Sequence, residues 1–313
     1  MRKGGLILDI PKLISNRADD RANRKTKKNP WDLYDLNNEV PYFFPQLPEG
    51  LEYINLIIFG DWHIEANTAD WILVAFITQL LEHPNNYLVN PGDTFEIAFD
   101  DDVGTLTEQK LSTTEAYELV KRLMKPVAHK ILLMLEGNHP RRTRKRTGID
   151  ITGILCEELG INYARGKAAM TLHVGKKKNG KPAAYTFGAN HGRGGGRTDG
   201  AKAQARFWEA ATWENVDAVL IGHIHTPGYE SRTRVKPDPR NKTIRAQEYI
   251  QVSAPSALKF AEYAQTGSYA PPSFRIPVLR LDGKEKRISL EFPDLLSELR
   301  EFYVKNKKLF KKL

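Results

Sequence analysis

The sequence predicts an α/β protein: a mixed β-sheet sandwich flanked by helices. Three observations point there. Short, nearly unbroken apolar runs such as Ile54-Asn55-Leu56-Ile57-Ile58-Phe59 suit strands buried on both faces. Stretches with helical spacing lie between them, as at Trp71, Val74, Ile77 and Leu81. In the second half strand-like runs dominate, which argues for a mixed sheet rather than a purely parallel one.

The elements follow in order. Residues 1–30 carry nine Lys/Arg against three Asp, with Arg24-Lys25-Thr26-Lys27-Lys28 just before Pro30, and read as a basic arm. Residues 31–50, with Pro41-Tyr42-Phe43-Phe44-Pro45 and Pro48, read as an extended piece packed on the core. The first strand, 54–59, ends in Gly60-Asp61, and a helix over 69–83 follows. Tyr87-Leu88-Val89 leads to Gly92-Asp93. A helix is expected over 113–130, with Ser112 or Thr113 as its N-cap. The strand 131–135 leads to Gly137-Asn138-His139, and a helix over 149–159 closes on Gly160. Strands are expected at 169–174 and 184–189, a helix over 201–213, and a strand at 218–221 that runs into Gly222-His223-Ile224-His225. Further strands are expected at 249–252, 277–281 and 287–292, then a Lys-rich helix over 293–313. Asp100-Asp101-Asp102 and residues 175–180 read as surface loops.

Composition excludes several classes. With 41% hydrophobic residues the chain has a core and is not disordered as a whole. Cys156 is the single cysteine, so a disulfide framework is impossible. No apolar run approaches the ~18 residues of a membrane span, and the N-terminal residues do not read as a secretory signal. The expectation is a cytoplasmic protein without membrane contact. A net charge of +9 is a mild basic excess that favours an anionic partner.

The unusual residues sit at strand ends. Asp61 and His63 follow the first strand, Asp93 the second, Asn138 and His139 the third. His191 follows a later strand, and His223 and His225 another, so five of the eight histidines fall in these positions. The C-terminal edge of an α/β sheet is where such folds place their sites, because the sheet sets the distances between residues far apart in sequence. Imidazole and carboxylate both bind Zn, Mn and Fe. An Asp can bridge two ions, and Asn138 offers a neutral oxygen.

The ordered set Asp61-Trp62-His63, Gly92-Asp93, Gly137-Asn138-His139, His191 and Gly222-His223-Ile224-His225 resembles the calcineurin-like metallophosphoesterase superfamily. Each block alone is weak; all in order, each at an expected strand end, form a specific signal. The resemblance implies that Asp61, His63 and His225 hold one divalent ion and Asn138, His191 and His223 a second, with Asp93 between them. It implies Mn2+ first, with Fe or Zn as alternatives. It implies a hydroxide between the ions as nucleophile and His139 near the scissile phosphate, protonating the leaving oxygen or stabilising charge. Arg141 and Arg142 follow directly, where a guanidinium fork suits non-bridging phosphate oxygens. One departure stands out: Pro140 follows His139 where the family often has Asp or Glu, and proline supplies neither a carboxylate nor an amide hydrogen. Residues 255–277, with Tyr263, Tyr269 and Pro271-Pro272, resemble a stretch found in phage and prophage members, which would make the host cytoplasm the compartment. On this reading residues 1–50 form a basic extension, 51–292 the catalytic domain and 293–313 a Lys-rich helix.

Other features read more plainly. The run Arg141-Arg142-Thr143-Arg144-Lys145-Arg146 is either a solvated face or a phosphate contact. Gly192-Arg193-Gly194-Gly195-Gly196-Arg197 lacks the Gly-Lys-Ser/Thr ending of a nucleotide loop and reads as a rim of the site, with Arg193 and Arg197 near substrate. Cys156, Trp208 and Trp213 read as core, and His83, His129 and His173 as structural or surface residues. The expected activity is a dinuclear metal-dependent phosphodiesterase or nuclease acting on DNA, RNA or a nucleotide. A phosphomonoesterase of the protein-phosphatase type is the alternative, and a non-enzymatic interaction module the minor one.

Overall fold

In the computed structural model of the chain the described residues are 40–99, 109–194, 196, 198–260 and 271–310. The basic arm, Asp100-Asp101-Asp102, Arg197, Tyr263 and Tyr269 lie outside them.

Two six-stranded mixed sheets stack face to face. One has the order β12 (Ile288–Glu291), β11 (Val278–Asp282), β2 (Tyr53–Ile58), β3 (Asn86–Asn90), β4 (Ile131–Leu135) and β5 (Tyr163–Ala164). The other has β1 (Tyr42–Phe43), β6 (Ala168–Val174), β7 (Ala183–Asn190), β8 (Ala218–Ile221), β10 (Thr243–Ser253) and β9 (Gly228–Asp238). β2, β3, β4 and β5 run parallel, as do β7, β8 and β10. Helices α1 (Trp71–Leu80), α2 (Thr113–Met124) and α4 (Ile151–Leu159) cover the first sheet, and α5 (Asp199–Ala211) covers the second.

The unbroken apolar runs follow from this layering. Ile54, Leu56 and Ile58 of β2 point between the sheets, beside Met170, Leu172 and Phe187 of the opposite sheet. Ile57 points the other way, into the layer under the helices with Val74, Ile77 and Leu155. β8 divides likewise: Ala218 and Leu220 face the inter-sheet core, Val219 and Ile221 face α5. Period-two alternation therefore survives in the packing but not in the hydrophobicity.

Three elements differ from expectation. The helix expected over 113–130 ends at Met124 and continues as a 3-10 segment, Lys125–Lys130. Pro126 explains it, since its ring lacks the amide hydrogen and crowds the carbonyl of Arg122. The basic run is itself a helix, α3 (Asn138–Thr147), in which only Pro140 and Thr143 are buried, so no apolar stripe announces it. Pro140 is tolerated in the first turn, where amide hydrogens have no intrahelical acceptor. β9 has hardly any buried residue and owes its extended form to antiparallel pairing with β10 along its whole length. The Lys-rich C-terminal helix is α6 (Leu296–Phe310). Trp208 is 55% exposed rather than in the core, because it lies on the outer face of α5, while Trp213 donates its ring N–H to Asn190 at 2.8 Å.

The link from α3 to α4 shows how the sequence sets an element boundary. Gly148 takes the left-handed conformation that stops α3. Asp150 then caps α4 by accepting from the Gly153 amide at 3.0 Å, and it also accepts from Tyr163 Oη and Arg165 Nε, both at 2.7 Å. Burial would raise this carboxyl, yet those hydrogen bonds outweigh it and hold the group below its usual range. We therefore expect Asp150→Ala to lower stability by about 1–2 kcal/mol in urea unfolding. A lowered folded-state pKa gives stability that is present above the unfolded-state value and lost as pH falls through the folded one. The gap between wild type and variant should be full at neutral pH and close below about pH 4. Equal unfolding midpoints at neutral pH would contradict this role.

Candidate metal centre

The C-terminal ends of β2, β3, β4, β7 and β8 open on one region, and each carries one of the expected blocks. Five of the seven expected ligands are held in a backbone form that residues other than glycine seldom adopt. Asp61, His63, Asp93, His223 and His225 have φ of +51°, +46°, +50°, +64° and +56°. Such strain persists only where surrounding structure over-determines it, and it gathers at functional sites. Two glycines permit the close approach. Gly137, with φ +83°, has no room for a Cβ, which would collide with the Asp93 carboxylate and amide. Gly92, with φ +121°, abuts the His191 ring.

The side chains form two neighbouring donor groups. Asp61, His63 and His225 converge in one, with His225 Nε2 3.4 Å from Asp61 Oδ1 and 3.2 Å from His63 Nε2. Asp93, His191 and His223 converge in the other, with His191 Nε2 3.0 Å from Asp93 Oδ2. Asn138 Oδ1 joins the second group, 2.9 Å from His191 Nε2 and 2.8 Å from His223 Nδ1. All seven expected ligands thus come together.

These donors fit divalent transition ions. Asp93 is wholly buried, and its Oδ1 accepts the His139 amide at 2.9 Å, while its Oδ2 faces His191 Nε2 at 3.0 Å without a well-formed hydrogen bond. Buried carboxylate oxygens are ordinarily hydrogen-bonded or bound to a cation. The rest of the set is imidazole, carboxylate and amide oxygen, the mixture that Zn, Mn and Fe accept. Protonation chemistry runs the same way. Burial would raise Asp93 and Asp61, yet the imidazoles around each hold both below the ordinary carboxylate range. Burial would lower His191, but the Asp93 charge lifts it to about 9, whereas burial and the neighbouring His191 push His223 down to about 4.

His139 opens the first turn of α3 and points its ring into the centre, with Nε2 4.0 Å from Asp93 Oδ2. Pro140 offers it no carboxylate, but Glu96 does. Glu96 Oε1 lies 3.2 Å from His139 Nδ1, and its Oε2 lies 2.5 Å from His63 Nδ1. Burial opposes the charge on Glu96, and the two imidazoles overcome it and hold the carboxyl low. Burial would likewise lower His139, but Glu96 and Asp93 raise it. Glu96 was not among the residues expected from sequence; its signal is a carboxylate three positions after Asp93 on the same loop. Glu65 was also missed, and nothing around it in sequence marks it. It accepts from the Glu96 amide at 2.6 Å, and burial pushes its carboxyl up to about 8.

The basic residues of α3 are mostly engaged locally. Arg142 meets the Nδ1 edge of His139. Arg144 makes a paired contact with buried Glu136, at 2.5 and 3.0 Å, and Arg146 lies over the Phe99 ring at 4.2 Å. Arg141 is exposed. A 280 Å³ cavity opens over the centre from Asp93, His139, His223 and His225. Gly194 and Gly196 form part of its wall, as expected for a rim, while Arg193 is 84% exposed and 3.7 Å from Glu209. Neither Arg141 nor Arg142 lines that cavity. Cys156 is buried away from it, and His83, His129 and His173 are exposed.

No family model matches the chain, and no curated protein matches it. Among solved structures it is similar to the 5′-nucleotidase precursor from Thermus thermophilus, at 11% identity and a TM-score of 0.35, over 83% of this chain and 59% of that one. It is similar to the NAD nucleotidase of Haemophilus influenzae at 10% identity and a TM-score of 0.35, over 82% and 56% of the two chains. GAP50, the anchor in the inner membrane complex of Plasmodium, is matched at 11% identity and a TM-score of 0.36, over 80% and 94%. The chain spans under three fifths of the length of either nucleotidase. Among the described residues, no helix is long and apolar enough to cross a membrane.

Proposed function

We propose that the chain is a dinuclear metal-dependent phosphoesterase of the calcineurin-like kind, acting on a phosphodiester of a nucleic acid or nucleotide. The observation that carries the reading is the convergence of Asp61, His63 and His225 in one group and of Asp93, His191 and His223 in another, with the Asp93 Oδ2 buried and without a well-formed hydrogen bond. Asp61, His63 and His225 would hold one ion, Asn138, His191 and His223 the other, and Asp93 both. Mn2+ is the first candidate, then Fe or Zn. A bound pair of such ions supplies Lewis-acid charge for the phosphate oxygens and lowers the pKa of water.

The chain's own residues do the rest. In the net reaction a water oxygen bonds to phosphorus, the bond from phosphorus to the leaving oxygen breaks, and one proton moves to that oxygen. His139 Nε2 faces the centre and is the group to deliver that proton. Glu96 orients the ring from the Nδ1 side and stabilises the imidazolium, the place that Pro140 leaves empty. Because the same carboxylate holds the His63 Nδ1 edge, it also presents His63 Nε2 to the metal side. Arg142 closes the Nδ1 side of His139, and Arg141 stands outside the cavity, available to a long substrate.

Four outcomes follow. EDTA-treated protein should gain about 4 °C in Tm for each site filled when Mn2+ is added at a hundredfold excess over its Kd, where linkage supplies about 2.7 kcal/mol per site. Asp93→Asn should lose the ions of both groups together by elemental analysis; two ions per chain retained would refute the bridging assignment. His139→Ala should keep its metal and lose about 10²–10⁴-fold in kcat on bis-p-nitrophenyl phosphate. Glu96→Ala should lose about 10–100-fold in both kcat and metal affinity, since it holds both histidines. Faster turnover of p-nitrophenyl phosphate than of the diester would turn the reading to a phosphomonoesterase. Absence of EDTA-sensitive turnover on either would defeat it.

A further inference from the structure

The wall of the cavity away from His139 carries a buried cation that the centre does not explain. Lys202 lies on α5, is only 9% exposed, and lines the cavity together with His223 and His225. Its Nζ donates to Thr226 Oγ1 at 2.9 Å, a neutral hydroxyl on the residue after His225. Among the described residues it has no carboxylate partner. Buried lysines are ordinarily paired with an anion. The position is unfavourable for a second reason. Lys202 sits in the first turns of α5, capped by Thr198, where the helix dipole disfavours positive charge. Neither burial nor helix stability accounts for a lysine here, and no described residue supplies its counter-charge, which points to an anion bound in the cavity. Lys259, exposed and on the same wall, adds a second cation.

The charge inventory says which anion. On the dinuclear reading above, two dications against the carboxylates of Asp61 and Asp93 leave a surplus of about two positive charges, while His139 and Glu96 offset each other. The single charge of a scissile phosphodiester and that of the deprotonated attacking water together match that surplus. Lys202 and Lys259 would be superfluous for a substrate with one phosphate, and they suit one that carries another. We infer that Lys202 is the specificity-determining residue for a second phosphate group on the substrate. The site would then take a nucleotide-type ester with a phosphate next to the scissile one, either the neighbouring phosphate of a strand or that of a nucleoside diphosphate. Leu258 and Phe260 line the same cavity and offer an apolar face to the nucleoside.

The test is binding, so that it stands apart from turnover. Calorimetric titration of the metal-loaded protein would compare thymidine 5′-monophosphate with thymidine 3′,5′-bisphosphate and thymidine 5′-diphosphate. Wild type should bind at least one of the doubly phosphorylated compounds about tenfold or more tightly than the monophosphate, as one charge-assisted contact allows. Preference for the bisphosphate indicates a strand, and preference for the diphosphate a nucleoside polyphosphate. Lys202→Met should abolish the preference and Lys202→Arg should restore it. No preference in wild type, or a preference that survives in a folded Lys202→Met, would overturn the inference, and the wild-type comparison decides even if the methionine variant does not fold. The preference without any phosphoesterase turnover would sustain the subsite while defeating the activity proposed above. Turnover without the preference would do the reverse.

Discussion

The centre depends on keeping the fully buried Asp93 carboxylate charged. A buried, uncompensated carboxylate costs several kcal/mol, and the surrounding structure is arranged to offset it. The His139 amide, at the N-terminal end of α3, donates to one oxygen, with the helix dipole in its favour. The Nε2 atoms of His191 and His139 lie 3.0 and 4.0 Å from the other, and His63 adds a favourable charge interaction. Gly137 lets β4 and α3 come against the carboxylate, and Gly92 lets His191 do so from the second sheet. The left-handed backbone at five of the expected ligands is the local strain of this arrangement, and the inter-sheet core and the parallel strands beneath it hold that strain in place.

Much of this was legible in the sequence because two kinds of information coincide at strand ends. The apolar runs of β2, β3, β4 and β8 mark strands buried on both faces, and each ends in residues that a structural loop has little use for. The ligand positions could be read for that reason, and the structure brings those residues together. What could not be read depends on partners distant in sequence. β9 is extended because β10 pairs with it, not because of its own pattern. α3 lacks an apolar stripe, so its charges concealed it. Glu96 takes its meaning from His63 and His139, which reach it from two other strand ends. Lys202 carries no signal in its own helix, because its burial beside Thr226 arises only in the tertiary fold.

The basic excess acquires a more definite form as well. Within the described residues several of the cations of α3 are engaged locally. Arg144 neutralises Glu136, Arg146 covers an aromatic ring and Arg142 attends His139. Lys202 and Lys259 are the cations that line the cavity itself. On the proposed reading, these two lysines would favour a particular phosphate pattern.

The central claim is that one buried aspartate joins two metal ions into a single unit. Electron paramagnetic resonance of the Mn2+-loaded protein tests it most directly, because ions that share a carboxylate are magnetically coupled. The account predicts an exchange-coupled spectrum at full loading. The simple hyperfine pattern of isolated Mn2+ at full loading would contradict it.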